Sequence, residues 1–254
     1  ILKEGYPLGA FYLIHWEGVD PETGNSSYTD INGDGVINSG DMQPIKDKTP
    51  WPDYFGGVGN SFSWKGFDLN IFFQFSKGNY VFNHSRYAQE QIGWSHYILF
   101  DFNDDGVIDE LTERLFLPYG NNPERVENER WQNPGDVTDI PRASLGYEFD
   151  GEGYVVGQLQ PNWMEDCDQW LEDASYIRLK TFEFGYTVPS SFAERYGLSS
   201  LRIYILGQNL WTKTDYLGVD PEVSSNGENI TRVGEDYGGL GQPKTVYFGI
   251  NVGI

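Results

Sequence analysis

Between Val58 and Ser76 the chain alternates apolar and polar side chains with a period of two, and this constrains the fold more than any other feature. Phe67, Leu69, Ile71, Phe73 and Phe75 interleave with Asp68, Asn70, Phe72, Gln74 and Ser76. Successive residues of a strand point to opposite faces, so the run makes one greasy face and one polar face. Lys65-Gly66 reads as the two-residue tip of a hairpin, which sets Trp64 opposite Phe67 and Phe62 opposite Leu69. A soluble sandwich would bury the greasy face. A transmembrane barrel would point it at lipid and turn the polar face toward a wet lumen.

The alternation returns late in the chain. Leu201, Ile203 and Ile205 alternate with Arg202, Tyr204 and Leu206, and Val246, Phe248, Ile250, Val252 and Ile254 alternate without a fault with Tyr247, Gly249, Asn251 and Gly253. Residues 174–187 are less regular, with Ile177 and Leu179 on one face but Phe182, Phe184 and Tyr186 on the other. Either a bulge changes the register there, or the upper half stands clear of the apolar layer. Aromatic residues make up 16% of the chain and glycines number 31, which fits many short strands and turns, an all-β chain. Mean hydropathy is −0.51, with no apolar run long enough for a transmembrane helix. The net charge of −21 argues against a nucleic-acid partner and suits divalent cations and an extracellular face. Cys167 is the single cysteine, so neither an internal disulfide nor a thiolate metal site is expected. Ile1 is not a start methionine and no signal peptide is visible, so a mature chain or a fragment of a longer one is expected.

Two acidic stretches carry the spacing of a calcium loop, in which oxygen ligands at alternate positions let a short segment wrap a hard cation. In residues 30–41 the ligands would be Asp30, Asn32, Asp34, the Val36 carbonyl, Asn38 and Asp41, with Gly35 at the sharp turn. In residues 101–112 they would be Asp101, Asn103, Asp105, Val107 and Asp109, but Thr112 stands where the last carboxylate belongs. A structural Ca²⁺ is therefore expected first at 30–41, without the flanking helices of an EF-hand. The bland alternative for either stretch is a turn rich in Gly, Asn and Asp. Trp94, Trp131, Trp163 and Trp170 lie in the long weakly periodic segment after Ser76, where they either stack on sugar rings, or pack the segment itself or touch a partner protein.

Seven short motifs occur in order: G-V-D-P-E-T-G from Gly18, D-I-N-G-D-G-V-I-N from Asp30, W-K-G-F-D-L from Trp64, N-P-G-D-V-T-D-I-P-R from Asn133, D-A-S-Y-I-R-L-K from Asp173, G-Q-N-L from Gly207 and G-V-D-P-E from Gly218. Together they resemble the C-terminal barrel portion of the SusC/RagA family of TonB-dependent outer-membrane transporters, over nearly the whole of residues 1–254. The resemblance implies the last strands of a large antiparallel transmembrane β-barrel with long extracellular loops, here an incomplete chain. It also implies a plug, a SusD-like surface lipoprotein as partner, energy from the TonB complex through the missing N-terminal part, contact with the rest of the transporter chain, and outer-membrane lipid around it. Two departures stand out. The chain ends on Val252-Gly253-Ile254, where such barrels usually finish on Phe, and no plug or TonB box is present.

Five late strands are expected, at 57–64, 67–76, 174–187, 200–212 and 244–254. Taken alternately down and up, they put the C-terminus and the turns at 65–66 and 188–200 in the periplasm, with both calcium-type loops outside the cell. Five strands leave edges that lipid cannot satisfy, so about a quarter of a transporter is expected. Neither G-x-S-x-G, H-E-x-x-H nor a P-loop occurs, and His15, His84 and His96 have no partner at motif spacing, so no catalytic residue and no enzyme is expected. The function expected is active import of oligosaccharides or peptides. The alternative is a secreted calcium-binding β-sandwich that binds carbohydrate.

Overall fold

A computed structural model describes residues 3–91, 95–99, 114–118, 123–144, 147–149, 155–158, 162–225, 229 and 232–254, the segments at 95–99, 114–118, 147–149 and 155–158 by their backbone alone. The chain divides into two units, Ile1–Phe11 with Ile45–Asn83 and Leu171–Ile254, and Tyr12–Pro44 with His84–Trp170. No helix among the described residues is long and apolar enough to cross a membrane.

The first unit is built on one antiparallel sheet of five strands: β1 (Tyr54–Trp64), β2 (Phe67–Lys77), β3 (Tyr176–Thr187), β4 (Ser200–Thr214) and β5 (Thr245–Gly253). They pair in the order β5-β4-β3-β2-β1, which is sequence order, so every strand lies beside its chain neighbour. These are the five strands expected: three ends run longer, at Tyr54, Lys77 and Thr214, and three stop short, at Tyr176, Thr245 and Gly253. Lys65 and Gly66 both take positive φ, 47° and 88°, which is the two-residue turn whose twist matches the strands it joins. A Cβ on Gly66 would lie 2.6 Å from the Thr187 carbonyl oxygen, so the tip of the hairpin admits only glycine. Trp64 pairs with Phe67 and Phe62 with Leu69, as the hairpin requires.

The irregularity in residues 174–187 resolves as a bulge. The register of β3 shifts between Leu179 and Thr181 against both of its neighbours. Below the shift Phe182, Phe184 and Tyr186 face the apolar side of the sheet; above it Ile177 and Leu179 do, because Phe73 pairs with Leu179 and Ile71 with Phe182. One extra residue, Lys180, thus keeps the apolar side whole. On β4 the answering residue Asn209 has φ 51°, and its side-chain amide donates to the Pro243 carbonyl at 3.0 Å. The apolar face then runs unbroken across the pairs Phe62–Leu69, Leu69–Phe184, Phe184–Ile205 and Ile205–Phe248. Among the described residues nothing covers it: Phe248 is 83% and Ile250 66% exposed.

From Trp64 to Tyr54 the strand rises about 33 Å, which at a tilt near 40° spans about 25 Å of height, the apolar band of an outer-membrane barrel. Both margins of that band carry amphipathic side chains. At one, Lys65 holds its ammonium 4.9 Å over the Trp64 ring, and Phe67 packs 4.5 Å from Tyr186. At the other stand Tyr54, Lys77, Trp211 and Lys213. In a smaller three-stranded sheet of the same unit, Tyr80–Asn83 is the central strand, flanked by Leu171–Asp173, antiparallel, and by Glu235–Asp236, parallel. Val81, Ala174 and Tyr216 are buried together there.

The second unit is made of short elements. Trp16–Val19 pairs with Ser26–Tyr28, and His84–Glu90 and Glu124–Glu129 are helices. Glu90, almost fully buried, receives Arg86 at 2.9 Å and Arg125 at 2.6 Å, and this tie joins the two helices. Ile14, Val126, Ile140, Cys167 and Trp170 are buried. Burial pushes the Cys167 thiol up to about 12, and its Sγ donates to the Met164 carbonyl, so it is an inert packing group.

Ile250 and its neighbour Asn251 are both exposed on the sheet, on opposite faces. In water an arginine would be tolerated equally at the two positions. In the full-length protein Ile250→Arg is expected to cost about 2–4 kcal/mol and Asn251→Arg far less, since only the first meets hydrocarbon. Folding titrations in lipid vesicles check this, and equal cost at both positions would refute it.

Candidate functional site

The polar side of the sheet holds two charged clusters, and β3 contributes to both. Near the hairpin, Arg202 on β4 sits between Asp68 on β2 and Glu183 on β3, at 2.5 and 2.6 Å. The three side chains stitch three strands together across the face that the apolar residues avoid. The second cluster lies at the opposite end of β3. Arg178 is 2% exposed and meets Asp220 at 2.5 Å and Glu222 at 2.6 Å. Glu222 also accepts from the Tyr176 hydroxyl at 2.7 Å and from the Gln74 amide at 2.9 Å, and Lys180 lies 3.5 Å away. The bulge is what aims Tyr176, Arg178 and Lys180 at these acids.

Asp220 and Glu222 belong to a loop, so the cluster fastens the segment after β4 onto the polar face. Asp220 Oδ1 accepts from the Glu222 backbone N–H at 2.9 Å and Oδ2 from the Gln242 N–H at 2.8 Å. Burial alone would push the Asp220 carboxyl up, but Arg178 and these two N–H groups outweigh it and hold it below the usual carboxylate range. Charges this buried are tolerated only when paired and hydrogen-bonded, and here they are. Sequence reasoning named none of these side chains as a site. The visible signal was the G-V-D-P-E motif, which occurs twice, at Gly18 and Gly218.

The second unit holds a matching lock. Asp20 of the first G-V-D-P-E folds its own turn, accepting from the Glu22 N–H at 2.9 Å and the Thr23 hydroxyl at 2.7 Å. The N-P-G-D-V-T-D-I-P-R segment docks on that turn: Trp131 Nε1 donates to the Pro21 carbonyl at 2.8 Å, and Arg142 donates to the Asn25 side chain at 2.7 Å. Gly24 has φ 72°, and a Cβ there would strike the Trp131 ring. Of the other loop tryptophans, Trp163 and Trp170 stack with centroids 6.1 Å apart and are buried, so they pack the unit. Trp94 lies outside the described residues, as do Asp101, Asn103, Asp105, Val107 and Asp109. His15 binds Asp168 at 2.8 Å and His84 lies 3.4 Å from Glu165.

The loop at 30–41 closes on itself. Asp30 accepts from the Gly33 N–H at 2.7 Å and the Gly35 N–H at 2.8 Å, both glycines being left-handed. Asn32 accepts from the Asp34 N–H and Asp34 from the Val36 N–H, while Asn38 caps the short turn Ser39–Asp41. Asp41 is fully buried, with its oxygens on the N–H groups of Asn38, Ile31 and Asn32. The Asn38 bond foremost, against the opposing effect of burial, holds its carboxyl below the usual range. Asp41 therefore braces the loop from inside. Among the described residues no three His, Cys, Asp or Glu side chains converge as a metal site.

Arg178→Ala, by leaving Asp220 buried without its cation and Glu222 with Lys180 alone, should cost about 3–5 kcal/mol of unfolding free energy in denaturant titrations of the full-length protein. Arg178→Lys should recover only part of that, because one ammonium cannot face both acids as a guanidinium fork does. The depressed Asp220 carboxyl contributes stability that is present above its unfolded value near 3.9 and lost as pH falls through its lower folded value. Protease nicking within 215–243 should accordingly rise in the wild type only in strong acid, and an Arg178→Ala loop as resistant as the wild type would overturn the assignment.

No protein-family model matches the chain. It is 30% identical to TonB-dependent receptor P3 of Formosa agariphila over 271 aligned positions, covering 99% of this chain and 23% of that protein. It is 25% identical to the TonB-dependent receptor SusC of Bacteroides thetaiotaomicron, covering 88% of this chain and 18% of that protein. The chain thus spans about a fifth of the length of these relatives. The solved structure of the RagAB peptide transporter superposes with a TM-score of 0.64 at 23% identity, over 96% of this chain and 22% of that one. That likeness carries the fold: strands in sequence order, one face apolar and bare, the other polar and charged. By sequence and by fold the chain matches a barrel portion of TonB-dependent outer-membrane proteins of the SusC/RagA kind.

Proposed function

We propose that the chain forms part of the wall of an outer-membrane importer, carrying oligosaccharides or peptides with a SusD-like lipoprotein over its mouth and drawing energy through TonB. The single observation that carries this reading is the segregation of faces: an exposed apolar band about 25 Å high backs onto a polar face closed by ion pairs. A secreted sandwich would cover that band with a second sheet, whereas Phe248 and Ile250 stand bare. In this reading the turns at 65–66 and 188–200 and the C-terminus lie in the periplasm, and loops 30–41 and 101–112 lie outside the cell. The chain's relatives in Formosa agariphila and Bacteroides thetaiotaomicron are TonB-dependent receptors, which supports the energy source, and RagAB is a peptide transporter, which supports a peptide as one cargo class. Uptake of a labelled oligosaccharide or peptide library by cells carrying the full-length protein should fall to background when TonB is deleted. Uptake unaffected by that deletion would refute active import.

A narrower reading concerns loop 30–41. One Ca²⁺ is held by Asp30, Asn32, Asp34 and the Val36 carbonyl, while Asp41 acts as the internal brace. It is supported by the spacing and by the left-handed glycines at 33 and 35, which curl the segment around Asp30. Extracellular sites of this type have dissociation constants of about 10⁻⁴–10⁻³ M. In the full-length protein, millimolar calcium should slow cleavage within 30–41; Asp34→Ala should abolish that response, and Asp41→Ala should open the loop with or without calcium. Identical calcium protection in the wild type and Asp34→Ala would exclude the site.

A further inference from the structure

At the margin of the apolar face farthest from the hairpin, the sheet opens into a groove of about 390 Å³. Its floor is Phe75 and Ile177, the last apolar pair of β2 and β3. Its walls are Tyr54, Lys77, Lys213 and Asp215. Ladder pairing fixes the layout: Phe75 pairs with Ile177, Ile177 with Lys213, and Tyr54 with Lys77, so both lysines stand on the apolar face. The Tyr54 ring meets Phe75 edge-on at 6.3 Å, which closes one side.

We infer that this groove binds an anionic, phosphate-bearing membrane lipid, with an acyl chain over Phe75 and Ile177 and the phosphate at the two lysines. The occupant follows from continuity. The floor is the upper end of the apolar band, so whatever wets Ile71 and Phe73 also reaches Phe75. Lysines at the end of such a band place their stems along apolar surface and their ammonium groups at headgroup level. The two amines differ. Lys77 is held at 3.2 Å by Asp173, but the pair is half exposed, at 52% and 38%, and such pairs exchange readily. Lys213 has no carboxylate within ion-pair distance among the described residues. It is the cation to which a phosphate adds without displacing another anion. Asp215, two residues on, stands in the same wall and opposes an anion. Lys213 and Asp215 thus pull the affinity in opposite directions, which a merely structural role for either does not predict.

The inference rests on the reading that the apolar face meets lipid. The test uses the purified full-length transporter in mild detergent, titrated with phosphatidylglycerol, phosphatidylcholine or inorganic phosphate and read by native mass spectrometry. Phosphatidylglycerol should bind more tightly than phosphatidylcholine. Lys213→Gln should weaken it about fivefold, the ratio expected for one basic side chain at a headgroup. Asp215→Asn should strengthen it, and neither change should alter phosphatidylcholine binding. Equal phosphatidylglycerol affinity in the wild type and Lys213→Gln overturns the groove, and so does competition by millimolar inorganic phosphate as effective as that by the lipid. A bimane label at Phe248→Cys, quenched by doxyl lipid, reports the face itself. Quenching there without a Lys213 effect sinks the groove alone, whereas no quenching sinks the reading beneath it.

Discussion

Every backbone N–H and C=O in a membrane-spanning sheet must find its partner on the next strand, because hydrocarbon supplies none. That requirement forbids gaps in the ladder, and a ladder without gaps transmits its register from strand to strand. A one-residue error on one strand would then turn a whole stretch of side chains to the wrong medium. Strand β3 contains such an error in its sequence, and the bulge between Leu179 and Thr181 corrects it. The correction is local in covalent terms and global in effect. Without it Tyr176 and Arg178 would turn to the apolar face, and Ile177 and Leu179 to the polar one.

The hairpin and the outer strands were legible in the sequence because period two is a local signal: β5 carries it without a fault, and β1, β2 and β4 carry it with single exceptions such as Asn60, Phe72 and Leu206. At β3 the sequence showed the break in phase but not which explanation held; the answer depends on Phe73 and Trp211, which lie on other strands. The two charged clusters were not legible. Arg178 and Asp220 are 42 residues apart, and Arg202 and Asp68 are 134 apart. With 38 acidic residues in the chain, no spacing rule selects those partners. The loop tryptophans were ambiguous for a similar reason. A buried indole and a sugar platform look alike until the surroundings of Trp163 and Trp170 are known.

The motifs that carry the family resemblance make physical sense as contact pairs. D-A-S-Y-I-R-L-K supplies the bulge and the cation; G-Q-N-L supplies the answering residue Asn209; the second G-V-D-P-E supplies both acids. In the other unit the first G-V-D-P-E-T-G and N-P-G-D-V-T-D-I-P-R form a single lock through Trp131 and Arg142. W-K-G-F-D-L combines a left-handed hairpin tip with the Asp68 that holds Arg202. Apart from D-I-N-G-D-G-V-I-N, which closes on itself, each motif is short because it is half of an interface. Their significance lies in the partner, which a linear pattern does not display.

The same logic separates what holds the sheet from what faces solute. Ion pairs on the polar face contribute little when water reaches them freely, so Arg202, about a fifth exposed, serves mainly to align three strands. Arg178 is a different case. It is sealed by Tyr176, Gln74 and the returning loop; backbone N–H groups of that loop orient Asp220, while the Tyr176 hydroxyl and the Gln74 amide orient Glu222. Freeing the loop therefore means exposing a guanidinium and stranding two carboxylates at once. A segment held in this way is a fixed part of the polar face, bound to the sheet as firmly as the strands are to one another.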